Sequence, residues 1–194
     1  MQSSTVSAIN LTDQDIDTAL PKIAIGLEKY LKIQKRLSDQ SDINLADDGD
    51  FQKKFNGFYR IRQKPAAWYK IFYMLFDESR KIPVDYYTVL QLLHKLTGRY
   101  EASFASKLLA SIDTQMPVID SIVLKNLNLR LPYPYEANRL ESICSIHGKL
   151  TEYYANYLQT EKGKHLVGRF RKVYPDANVS EVKMLDLILW QSRN

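Results

Sequence analysis

Cysteine is almost missing from this chain: Cys144 stands alone among 194 residues. A lone thiol excludes an internal disulfide and a cysteine zinc cluster, which makes a reducing cytoplasm the simple setting. Cys144 sits in an apolar stretch with Ile143 and Ile146 and reads as a small buried side chain. Glycine and proline are sparse, seven of each, and no low-complexity tract or internal repeat occurs. No apolar run approaches the roughly 18 residues of a membrane span. The first ten residues, MQSSTVSAIN, lack the basic start and apolar stretch of a secretory signal, so no membrane partner is expected. Phosphate-loop, dinucleotide and HExxH motifs are missing as well. His94, His147 and His165 lie far apart without a carboxylate or cysteine at ligand spacing, so neither a metal nor a cofactor is expected. Ser103, Ser106 and Ser111 share a helical segment in which nothing marks a nucleophile.

What is present describes an ordinary globular chain, 45% apolar and 25% charged, with a net charge of +5. That charge is uneven. Phe51 to Phe76 carries Lys53, Lys54, Arg60, Arg62, Lys64 and Lys70 without one acid. Lys162 to Lys172 carries Lys162, Lys164, Arg169, Arg171 and Lys172, again without an acid. Acids gather early, in a loop with Asp39, Asp42, Asp47, Asp48 and Asp50. Two acid-free runs suit a phosphate backbone, or else a solvated lysine-rich surface.

Apolar residues repeat at helical spacing almost throughout, and no alternating strand pattern persists. The spacing predicts an all-α bundle of eight or nine helices in one domain, residues 1–194. Thr12 and Asp15 form a capping box, and Pro21 suits the first turn of a following helix that runs to about Leu37. Further helices are expected over about 50–62, from Pro65, after Asp85 to a stop at Gly98, and over 101–112. Asp120 opens a short one, with Asn126 and Asn128 unfavourable to its continuation. Pro132 and Pro134 interrupt LRLPYPYE, so 130–136 is the best place for a subdomain boundary or crossover. A long helix over about 136–158, one from Thr160 to Tyr174 and a last one capped by Asn178 or Ser180 complete the chain. Most of Tyr69, Tyr73, Tyr86, Tyr87, Tyr153, Tyr154 and Tyr157 fall at core or boundary positions, although tyrosines can also stack on bases. Asp186 and Arg193 are spaced for a terminal ion pair.

The segment KLTGRYEASFASKLL, followed by PVIDSIVLKNL, resembles the helix-hairpin-helix DNA glycosylase superfamily of base-excision repair enzymes. Leu96 and Gly98 match the hairpin, Glu101-Ala102-Ser103 opens the next helix, and Pro117-Val118-Ile119-Asp120 matches the step that carries the catalytic aspartate. The resemblance covers roughly 35 residues. It implies a helix-hairpin-helix glycosylase-like fold, a duplex DNA partner, and Asp120 as the carboxylate that stabilises charge on the sugar or activates water. It also implies DNA contact at Gly98, Arg99 and Tyr100, with Lys107 touching phosphate or solvent. Bifunctional members carry a lysine nucleophile about where Arg99 and Tyr100 stand here, and arginine does not readily give up its proton. Any enzyme is therefore expected to be a monofunctional N-glycosylase. A wider stretch, FYRIRQKPAAWYKIFYMLF through PVIDSIV with a closing VKMLDLILWQSR, is similar to a bacterial family whose resemblance implies no activity. Read from its residues alone, Asp120 is equally a helix N-cap and Gly98 a helix C-cap. A non-catalytic helical protein that binds nucleic acid or an acidic partner is the alternative.

Overall fold

A computed structural model describes residues 9–39 and 44–192. Asp42, Arg193 and most of the leading MQSSTVSAIN lie outside them. Among the described residues there are nine α-helices and no strand. They are α1 (Asp13–Ser38), α2 (Gly49–Tyr59), α3 (Ala66–Ser79), α4 (Tyr86–Thr97) and α5 (Ala102–Ile112). After them come α6 (Ser121–Asn126), α7 (Arg139–Gln159), α8 (Glu161–Val173) and α9 (Glu181–Gln191).

The ends are set by side chains that satisfy orphan amides. Thr12 and Asp15 form a complete capping box on α1. Asp48, Asp85, Thr160 and Ser180 each accept a first-turn N–H of α2, α4, α8 and α9. Gly98 closes α4 at φ 73°, where a side chain would be strained. The α7–α8 corner is tighter still. A Cβ added at Gly163 would lie 2.1 Å from the Tyr157 carbonyl oxygen.

One expectation fails at Pro21, which lies inside α1 instead of opening a second helix. An interior proline removes one N–H and alone costs about 3 kcal/mol. Here Pro21 lies on the exposed face of α1. The helix is held by a buried stripe of Ile16, Leu20, Ile23, Leu27, Tyr30 and Ile33. Tertiary burial outweighs the local break.

Helix α9 packs against α1, α6, α7 and α8, while α4 joins α3, α5 and α7. Every residue of α9 from Val182 to Leu189 is buried, the pattern of a helix enclosed on all sides. Two of those residues are Lys183 and Asp186, paired at 2.8 Å with neither side chain exposed. Asp186 thus pairs within its own helix. Tyr154 on α7 donates to its other oxygen at 3.0 Å. One apolar cluster runs from Ile9 to Leu189 and continues on both sides of segment 130–136. Cys144 is half-buried rather than enclosed, because it sits at the edge of α7's inward face.

Candidate nucleic-acid site around Asp120

Asp120 sits at the mouth of α6, where its Oδ1 accepts the Ile122 N–H at 2.8 Å. The loop before it is fixed from two sides. Ile119 donates its N–H to Ser106 Oγ at 2.9 Å, and Ser106 is fully buried on α5. His147 on α7 hydrogen-bonds the Pro117 carbonyl and stacks on Tyr86 with ring centroids 3.9 Å apart. Burial holds His147 neutral and lowers its pKa from 6.5 to about 4. Its Nε2 has no hydrogen-bond partner among the described residues. The carboxylate of Asp120 is therefore carried on a pinned segment.

That carboxylate is half-buried and lines a cavity of about 270 Å³. Lys107 of α5 lines the same cavity. Although 13 positions of sequence separate them, the α5–α6 turn brings the two charges to one hollow. Lys107 was expected to be solvated or on phosphate, yet it is only 9% exposed. Its ammonium forms no hydrogen bond or ion pair among the described residues. It rests against the rings of Phe104 and Tyr59 at 5.1 and 5.9 Å. Burial pulls its pKa below the ordinary lysine value, while the charge of Asp120 pulls it back up.

The walls come from helices far away in sequence. Phe58 and Tyr59 end α2, and Leu187 and Trp190 belong to α9. Trp190 packs on Phe58 at 5.5 Å, and its indole N–H is buried without a partner among the described residues. The Tyr59 hydroxyl lies 3.2 Å from Ser111 Oγ, which in turn donates to the Lys107 carbonyl. Ser106 and Ser111 are thus structural. The rim carries Lys22 and Lys29 of α1 and Arg60 after α2, none of them in a salt bridge among the described residues, although the Lys29 charge acts on the neighbouring Glu28. Arg60 sits at φ 54°, a left-handed conformation costing a non-glycine residue about 1–2 kcal/mol. The fold tolerates that strain at a position where the residue lines the cavity.

The two basic runs differ in fate. On α8, Arg169 pairs with Asp17, Arg171 with Glu181 at 2.8 Å, and Lys164 with Glu161 at 2.9 Å. Acids from α1 and α9 therefore neutralise much of that run. From the first run, Lys64 is taken by Glu101 at 2.6 Å, while Arg60 is left to the cavity.

Gly98, Arg99 and Tyr100 do not line the hollow that Asp120 and Lys107 share. The Gly98 N–H donates to the His94 carbonyl at 2.8 Å as the cap of α4. Gly98 and Arg99 are exposed, whereas the Tyr100 ring stacks on His94 at 3.8 Å. A wider hollow of about 860 Å³ lies where α1 and α8 begin, with Asp13 facing His165 at 3.4 Å. It contains none of the residues singled out from the sequence.

Lys22, Lys29 and Trp190 were missed by the sequence reading. The lysines lie outside the acid-free runs, and Trp190 reads as core. Among the described residues no group of three or more His, Cys, Asp or Glu is placed to hold a metal ion, and no helix is long and apolar enough to cross a membrane. No protein-family model, curated protein or solved structure matches the chain.

Proposed function

We propose that the chain binds duplex DNA and is a monofunctional glycosylase, a hydrolase that takes an extruded nucleotide at the Asp120 cavity and breaks its base–sugar bond. The observation that carries this reading is the meeting of Asp120 and Lys107 in one cavity with a cationic rim. About 270 Å³ is near the lower end of ligand sites, roughly 300 Å³, and suits one ring system rather than an extended ligand. The base lies against Trp190 and Phe58. As the C1′–N bond breaks, its electrons pass to the base and positive charge grows on the sugar beside the Asp120 carboxylate. Lys107 donates a proton to the departing base nitrogen. Water adds to C1′ and gives its proton to Asp120. Lys22, Lys29 and Arg60 hold the flanking phosphates, and the exposed Gly98–Arg99 turn adds a contact further along the backbone.

A second reading is a non-catalytic helical protein whose rim binds nucleic acid or an acidic partner. The cap bond from Ile122 favours it, because that bond alone gives Asp120 a structural use. Base release from duplexes bearing a panel of damaged bases separates the two. The glycosylase reading expects release by the wild type and a loss of about 100-fold or more in Asp120→Asn, with duplex binding retained. Binding with no release from any duplex favours the second reading, and equal release by both proteins removes Asp120 from the chemistry.

A further inference from the structure

The LRLPYPYE segment, set apart by its prolines, takes no part in the proposed site. Pro132 is buried and anchors it, while Tyr133, Pro134 and Tyr135 are exposed. Glu136 closes a turn there twice over. Its N–H donates to the Tyr133 carbonyl at 3.1 Å, and its Oε1 accepts the Tyr133 N–H at 2.6 Å. Pro134, at the second position of that turn, fixes the backbone further. The segment is a stiff mount between α6 and α7.

Three side chains form a ladder on it. The Arg130 guanidinium lies 4.3 Å from the Tyr133 ring centre and donates to the Tyr133 hydroxyl at 2.6 Å. Tyr133 in turn stacks on Tyr135, with centroids 5.4 Å apart and planes within 5°. There the ladder stops, because Tyr135 is 82% exposed, with Tyr133 against one face and solvent on the other. Neither tyrosine belongs to the apolar cluster, so the interior gives no reason for their alignment. Cations flank the open ring. Arg130 and Lys149 line a groove beside the turn, and Arg139 lays its guanidinium over Tyr100 at 5.5 Å. None of the three is in a salt bridge among the described residues. Of the acids on that groove, Glu136 is engaged in the turn and Glu141 complements the first turn of α7. Four residues of chain span at most about 14 Å, so Tyr135, Arg139 and the Gly98–Tyr100 turn belong to one surface.

We infer that Tyr135 is a stacking platform for an unpaired base of single-stranded nucleic acid, with Arg130, Arg139 and Lys149 on the phosphates beside it. A base has a flat face that continues the ladder, and its neighbouring phosphates meet the cations. A ring already covered on one side caps a base and does not wedge between two. A proline-rich peptide also docks on aromatic rings, but it brings no negative charge to the three cations. Charge complementarity therefore selects the strand. No step at Asp120 enters, since that carboxylate lies in a different hollow.

Binding of the full chain to a fluorescein-labelled oligothymidine strand at low salt, followed by anisotropy, tests it. Tyr135→Ala weakens binding at least about fivefold with an unchanged thermal midpoint, since the ring is exposed. Tyr135→Trp keeps the affinity or raises it, because a larger ring stacks without a hydroxyl. The pair Arg130→Ala and Lys149→Ala lowers the slope of log affinity against log salt by about 1.4, at about 0.7 for each single-strand phosphate contact. Asp120→Asn binds the strand as the wild type does, so a failure of base release leaves the platform standing. No binding of the strand by the wild type overturns the platform. Equal affinity of Tyr135→Ala and the wild type overturns it too, as does a loss in Tyr135→Trp as large as that in Tyr135→Ala. An unchanged salt slope overturns the phosphate contacts. Binding of a proline-rich peptide that Tyr135→Ala abolishes, with none to the strand, overturns the choice of partner.

Discussion

Two of the molecule's Lys–Asp couples stand in different surroundings. Lys183 and Asp186 are sealed in α9, bonded to each other at 2.8 Å, with Tyr154 on the second carboxylate oxygen. Burial pushes the Asp186 carboxyl above its usual range, against the pull of the Lys183 charge. Lys107 and Asp120 instead face a cavity, and the ammonium has no hydrogen-bond partner among the described residues. The first couple answers its own desolvation and has no access to a ligand. The second is answered only in part, and in the proposed reading a ligand completes it. Of the two arrangements only the open one can change partners during a reaction.

Stability measurements sharpen this contrast. Lys183→Met leaves Asp186 as an unpaired buried charge and costs about 3–5 kcal/mol in urea unfolding. Lys107→Met removes a desolvated charge that makes no bond, so it changes stability by less than about 1 kcal/mol. Equal losses in both variants would break the distinction. The segment carrying Asp120 has a pH dependence of its own through His147. Between pH 6.5 and about 4 the unfolded chain binds a proton that the folded chain refuses, so stability falls on acidification across that window. The drop reaches about 3 kcal/mol and is removed in His147→Phe, as paired unfolding curves at pH 7 and pH 4.5 would show. Asp120→Ala loses the α6 cap and about 1 kcal/mol, measured by thermal unfolding. Asp120→Asn keeps a capping oxygen and loses less. Arg60→Gly relieves the left-handed residue and gains about 1 kcal/mol while weakening duplex binding. A gain in both properties would separate the strain from the site.

Much of the bundle was legible because its ends are local chemistry. Thr12, Asp85, Gly98, Thr160 and Ser180 mark boundaries by bonds within four residues. Pro21 was not legible, since its tolerance depends on what α1 buries rather than on neighbours in sequence. The site divides in the same way. Asp120 stands out from a Pro-Val-Ile-Asp step, but the rim and walls arrive from α1, α2 and α9. One signal for them was available: Ile25 falls off the buried phase of α1 between two lysines, on a face with no need of an aliphatic side chain. The pairing that neutralises α8 could not be read from its acid-free run, because its acids come from Asp17 and Glu181 on other helices.

The central claim is that the Asp120 carboxylate stands where positive charge develops on a sugar. Affinity for a duplex carrying a pyrrolidine cation in place of one sugar, compared with the same duplex unmodified, tests it most directly. The wild type should prefer the cationic duplex by about 100-fold or more, and Asp120→Asn should lose that preference while still binding plain duplex. Equal affinity of the wild type for the two duplexes, or an undiminished preference in Asp120→Asn, would contradict the account.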